Sequence, residues 1–192
     1  GLVAALAAVR DLAEVRVFSP TPASRERFAA KFRQEMALDV TPVAQPQEAV
    51  ADADVVLCAA RSRDESPVIR GDWLAPGMTV VSIGSTLPEQ REVDEGTIAR
   101  ATRIVADMPD EVAHDTGDMQ AATRAGIDFG ARLHPLSDFV AGRVPRSPQD
   151  IVLYKSVGSA LQDVVIAEML LAQARQKGLG SEMPRSIAPV AK

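Results

Sequence analysis

Three stretches of this chain place small and hydroxylated residues directly after apolar runs: Phe18-Ser19-Pro20-Thr21, Ala59-Ala60-Arg61-Ser62 and Ser82-Ile83-Gly84-Ser85-Thr86. Small residues let a flat ring or a ribose come close to the backbone, and their hydroxyls offer hydrogen bonds. Any α/β loop uses Ser, Thr and Gly to turn, and one such stretch alone would mean no more than that. Three in corresponding positions point to a ligand, because open α/β sheets bind ligands outside the carboxyl ends of their strands. Asp107, Asp110, Glu111, Asp115 and Asp118 gather around His114 and have the residue types of a metal site. Only two histidines exist, His114 and His134. Acids also favour helix starts for electrostatic reasons. These carboxylates are therefore expected to be solvated or capping, with no metal bound. Ser62, Asp64 and His114 occur in no Gly-x-Ser-x-Gly setting, so hydrolase chemistry is not expected.

The elements that must hold these stretches alternate in type. Short strands are predicted over 15–18, 40–43, 54–60, 79–83, 102–106 and 151–154. Helices are predicted over 2–12, 24–36, 46–51, 94–100, 110–125 (broken at Gly117), 136–141 and 158–177, the last closed by Gly178. Thr21 or Ser24 would cap the second helix, and 73–77 would turn. The runs at 54–60 and 79–83 are continuously apolar, as strands buried on both faces of a parallel sheet are. Strand–helix alternation of this kind makes a doubly wound α/β parallel sheet. The bulk numbers agree: 192 residues, 46% hydrophobic and 24% charged, with a net charge of −5. Basic residues form no stripe, so nucleic acid is not an expected partner. No apolar run is long enough for a membrane span of roughly 18 residues. One cysteine, Cys58, lies inside an apolar run, which fits a reducing cytoplasm and gives no disulfide framework.

The order of elements adds a cofactor. Helix, strand and turn are the second half of a βαβ unit. In a dinucleotide-binding fold the first half is a strand and a Gly-x-Gly-x-x-Gly loop. The helix at 2–12 is apolar on nearly every side, and such a helix must be covered on most faces. The expectation is that the first strand and the glycine loop precede residue 1. Ser19 then sits at the tip of the second strand, where an Asp or Glu would hold the ribose 2′-hydroxyl of NAD. Ser19 and Thr21 cannot repel a 2′-phosphate, and Arg25 and Arg27 lie one turn on, which favours NADP over NAD. The alternative is that both arginines are solvated helix charges.

Several segments together resemble the ornithine cyclodeaminase/μ-crystallin family: Glu14-Val15-Arg16-Val17-Phe18-Ser19, Ala53-Asp54-Val55-Val56, residues 77–85 with Pro88-Glu89-Gln90-Arg91-Glu92, Asp107-Met108-Pro109 and Leu136-Ser137-Asp138. The most specific is Lys155-Ser156-Val157-Gly158 followed by Ala160-Leu161-Gln162-Asp163. The resemblance extends to about residue 180. It implies a Rossmann-like cofactor domain (1–150), a strand and helix (151–180) returning to an N-terminal substrate and dimerisation domain absent here, and a tail (181–192). It implies a homodimer in the full-length form and a small imine or amino-acid substrate, with the Arg and Lys that hold the substrate lying in the absent domain. The fragment alone is therefore expected to be inactive.

By position, the resemblance puts Ser19 and Thr21 at the adenosine ribose or its phosphate, and Ala60 and Arg61 beside the cofactor. Ile83, Gly84, Ser85 and Thr86 would approach the nicotinamide half, and Ser156, Val157 and Gly158 would close over it, with Gly158 offering backbone N–H groups. Lys155 is either part of this group or a surface lysine at a strand end. Two positions depart from the family pattern. Thr86 stands where ammonia-releasing cyclodeaminases have an Asp that can move a proton, and Pro20 stands where an Arg is common. The first favours imine reduction or amino-acid oxidation by an NAD(P)-dependent enzyme over cyclisation of ornithine. The second weakens the preference for NADP. A non-catalytic binder of NADPH and a small molecule is the third reading.

Overall fold

The computed structural model describes residues 1–60 and 66–181. Two compact units divide the chain, Gly1–Val157 and Gly158–Lys192.

In the first unit β1 (Val15–Val17) pairs in parallel with β2 (Val40–Pro42), and α2 (Pro22–Met36) links them. Thr21 is the extended residue before α2 and Pro22 takes the first helical position, where a missing N–H costs nothing. The Thr21 side chain makes no capping bond, and Ser24 lies inside the helix. The helix stops at Ala37, which adopts the left-handed conformation (φ 52°). Ala29, Phe32 and Val40 form the centre of a small core, with Phe28 and Phe32 rings 4.5 Å apart. α1 (Leu2–Ala7) is shorter than the helix predicted over 2–12, and none of its residues is buried. Six residues make fewer than two turns, and only Val3 and Ala4 reach the small core.

The remaining strands form a parallel five-stranded sheet: β3 (Val55–Cys58), β4 (Thr79–Ser82), β5 (Arg103–Ala106), β6 (Leu133–Pro135) and β7 (Val152–Lys155). Their order is β3-β4-β7-β5-β6. β6 has no counterpart among the predicted elements. It is an edge strand of three residues ending in Pro135, a residue that only an edge tolerates. Burial along β3 and β4 is uneven, contrary to the reading of strands covered equally on both faces. Val56, Cys58, Val80 and Ser82 are buried, whereas Val55 is 37% exposed and Leu57 and Val81 are half-buried. The buried face continues through Ile104 and Leu153 and packs against Ile98 of α4 (Glu95–Arg100), Val112 of α5 (Pro109–Asp115) and Met119 of α6 (Gly117–Arg124). α4 is capped by Asp94, whose carboxylate accepts from the Thr97 N–H at 2.8 Å. Short helices α3 (Pro46–Val50) and α7 (Leu136–Val140) complete the unit.

The second unit is α8 (Ala160–Gln176), capped by the Ser159 hydroxyl and followed by Gly178 at φ +64°. No described helix is long and apolar enough to cross a membrane.

Candidate active site

The register of the sheet lines up four strand ends. Cys58 stands opposite Ser82, Ser82 opposite Lys155, and Lys155 opposite Ala106. The residues that follow, Ala59-Ala60, Ile83-Gly84-Ser85-Thr86, Asp107 and Ser156-Val157, therefore emerge side by side at one edge. The ladder continues one step into them: the Ile83 N–H donates to Cys58 C=O (3.2 Å) and the Ser156 N–H to Ser82 C=O (3.1 Å). This is the edge at which parallel sheets hold ligands.

Beneath this edge lies a buried charge cluster. Lys155, Glu92 and Asp118 are all fully buried. Lys155 Nζ lies 2.9 Å from Asp118 Oδ2 and donates to Ser85 C=O (2.7 Å) and Ser82 Oγ (3.1 Å). Ser82 Oγ in turn donates to Glu92 Oε2 at 2.6 Å, and the Gly84 N–H donates to the same oxygen at 2.8 Å. Asp118 Oδ1 accepts from the N–H groups of Glu92 and Val93 at 2.8 and 3.1 Å. The surface-lysine reading of Lys155 is thus wrong: strand alternation puts it on the same face as Leu153, inside the core. The solvated reading of the acid group also fails for Asp118. It holds for Asp110, Glu111 and Asp115, which are exposed. No group of three or more His, Cys, Asp or Glu among the described residues could hold a metal ion.

The 83–86 turn is fixed from several sides. A Cβ on Gly84 would collide with Ala60 O and Glu92 Oε1, so only glycine lets this turn pack against the end of β3. Ser85 is buried and its hydroxyl donates to Gln90 C=O (2.6 Å). The Thr86 N–H donates to Gln90 Oε1 at 3.1 Å. Gly117 carries the Leu87–Gln90 segment: its N–H donates to Leu87 C=O, and a Cβ there would collide with Gln90 O. On the neighbouring strand end, Asp107 gathers the Ser156 hydroxyl (2.6 Å) and the Val157 N–H (3.2 Å). Cys58 sits at the foot of the cluster, where burial, and then the nearby Glu92 carboxylate, push its thiol well above the ordinary value.

At the tip of β1, Ser19 is half-buried and Thr21 exposed. Arg25 folds back so that its guanidinium donates to Ser19 C=O (3.1 Å), and Arg27 bonds Ser24 Oγ (3.3 Å). Arg25 is therefore attached to the strand tip. Gly158 is the first residue of the second unit, at φ +82°. Arg61, Ser62 and Asp64 lie outside the described residues, as does the tail from 182 onward. The structure brings Ala60, Ile83, Gly84, Ser85, Thr86, Ser156 and Val157 to one edge. It adds Glu92, Asp118, Gln90 and Asp107, which sequence reasoning did not single out for this site.

Comparison with known proteins agrees with this architecture. The model of the ornithine cyclodeaminase/mu-crystallin family matches residues 2–178. The chain is 27% identical over 188 residues to a Delta(1)-pyrroline-2-carboxylate reductase of Bacillus cereus, covering 95% of this chain and 56% of the relative. It is 29% identical over 157 residues to the ketimine reductase mu-crystallin of Rattus norvegicus, covering 82% of this chain and 46% of that protein. Among solved structures, Thermococcus litoralis Delta(1)-pyrroline-2-carboxylate reductase in complex with NADH and L-proline superposes with a TM-score of 0.86 at 25% identity, covering 95% of this chain and 56% of that one. The fold is Rossmann-like, and the chain spans about half the length of the relatives it matches.

Proposed function

Because the chain belongs to the ornithine cyclodeaminase/mu-crystallin family, we propose that it forms the nicotinamide side of the active site of an NAD(P)-dependent oxidoreductase. The substrate we assign is a small cyclic imine carboxylate of the pyrroline- or piperideine-2-carboxylate type. The same site run in reverse would oxidise the corresponding amino acid. The observation that carries this reading is the edge where Ala60, Ile83-Gly84-Ser85-Thr86 and Ser156-Val157 emerge in register. Small residues and a turn fixed from below suit a planar ring laid against backbone. When bound, the reduced dinucleotide supplies a hydride to the imine carbon. The residues present fit it: Gly84 keeps the turn low, Ile83 and Thr86 stay partly exposed above the cluster, and Asp107 holds Ser156 and Val157 beside them.

Two residue-level assignments complete the proposal. Ser19, Thr21 and Arg25 would face the adenosine ribose; no carboxylate among them repels a 2′-phosphate, which favours NADP. Thr86 would face the reacting end of the substrate. Its hydroxyl is a poor base, and its backbone is tied to Gln90, so proton transfer for ammonia release has no carboxylate there. This supports imine reduction over cyclodeamination. In the whole protein we assign a homodimer.

The test is reduction of pyrroline- and piperideine-2-carboxylate by the whole gene product that carries these residues, followed by loss of reduced-nicotinamide absorbance. Turnover is expected with NADPH and NADH, faster with NADPH. No imine turnover together with conversion of ornithine to proline and ammonia would overturn the reading in favour of a cyclodeaminase. Tight NADPH binding without turnover across the substrate panel would favour a binding protein.

A further inference from the structure

We infer that Lys155, Asp118 and Glu92 are positioning residues: a buried charge cluster that fixes the 83–86 turn for the nicotinamide half of the dinucleotide, and not for the adenosine half. This rests on the cofactor reading above.

Three ionisable side chains with no exposure come from three separate places, the end of β7, the first turn of α6 and the segment before α4. A buried ion pair is a poor source of stability, since well-packed apolar side chains of similar volume commonly do as well or better. What such a cluster does supply is direction. Here its bonds run to the backbone of one turn. Lys155 takes the Ser85 carbonyl, Glu92 takes the Gly84 N–H, and Ser82 Oγ bridges the two charges. The Ile83 N–H is engaged by the end of β3. Polar backbone groups of the turn are thus drawn inward, leaving Ile83 and Thr86 partly exposed in a fixed attitude. None of the three charged side chains reaches the surface, so they act through the turn and touch neither substrate nor cofactor. Arg25 and Ser19 are tied to each other at the tip of β1.

The consequence is separable. In the whole gene product, Lys155→Met is expected to lower Tm, because Asp118 is left buried without its cation. It should weaken NADPH and NADH binding by about tenfold, because a turn released from Lys155 must be re-ordered when the dinucleotide binds. Affinity for ADP-ribose and its 2′-phosphate, which lack the nicotinamide, should stay within about twofold on the same scale. Adding Asp118→Asn, which removes the stranded carboxylate while still accepting from the Glu92 and Val93 N–H groups, should raise Tm again but restore neither dinucleotide affinity nor kcat, a split that a merely structural role would not give. Asp118→Asn alone carries the same comparison where Lys155→Met does not fold. Equal loss of dinucleotide and ADP-ribose binding, or recovery of kcat along with Tm in the double variant, would overturn the inference while leaving the cofactor reading in place. Failure of the wild type to bind any nicotinamide dinucleotide would overturn both.

Discussion

Gly84 has no room for a side chain, and the atoms in its way are poorly able to yield. Ala60 O belongs to backbone leaving β3, and Glu92 Oε1 belongs to a carboxylate held at its other oxygen by two donors. Gly84→Ala is therefore expected to destabilise the first unit by about 1–3 kcal/mol, the usual range for overpacking. A urea midpoint unchanged from wild type would contradict the packing described. Cys58, one strand away, makes a pH prediction. Its thiol pKa is raised on folding, by burial first and the Glu92 charge second, so the folded chain keeps a proton that the unfolded chain releases above about pH 8.5. Fewer bound protons in the unfolded state mean stability falls as pH rises. The contribution is complete below that pH and is lost above it by about 1.4 kcal/mol per unit. The difference in unfolding free energy between wild type and Cys58→Ala, measured from pH 7.5 to 9.5 (about one unit either side of the unfolded thiol value), should show this slope. A flat difference would mean that Cys58 is accessible to water.

At the scale of elements, the local signals were readable and the cross-links were not. Apolar runs marked β3, β4 and β5, and Gly178 marked the end of α8, because these depend on neighbours in sequence. α1 came out shorter than its apolar composition suggested, since composition says nothing about which neighbours cover a helix. β6 escaped notice because three residues with a terminal proline carry almost no periodic signal. The strand-end residues of the site were visible as Ser, Thr and Gly after apolar runs. The cluster beneath them was not, because its bonds join positions far apart: Lys155 to Ser82 spans 73 residues and Glu92 to Asp118 spans 26. Two clues were nevertheless present. Period-two alternation along β7 puts Lys155 on the face of Leu153. Helical spacing on α6 puts Asp118 with Ala121 and Ala122, all three buried.

At the scale of the molecule, both buried hydrophobic clusters among the described residues belong to the first unit. In the second, α8 has no buried residue, and Leu161, Val164, Ile166, Met169 and Leu170 are all more than half exposed. Equilibrium unfolding signals from tertiary packing therefore report the first unit. The chain has four lysines. Lys31 and Lys177 are exposed, Lys192 lies outside the described residues, and Lys155 is completely enclosed. An acylating reagent should mark Lys31 and Lys177 first, while Lys155 waits for the sheet end to open. Pulse labelling read by peptide mass would then turn this amine into a clock for breathing of this end of the sheet. A nicotinamide dinucleotide should slow that clock, and ADP-ribose should leave it running at its own rate.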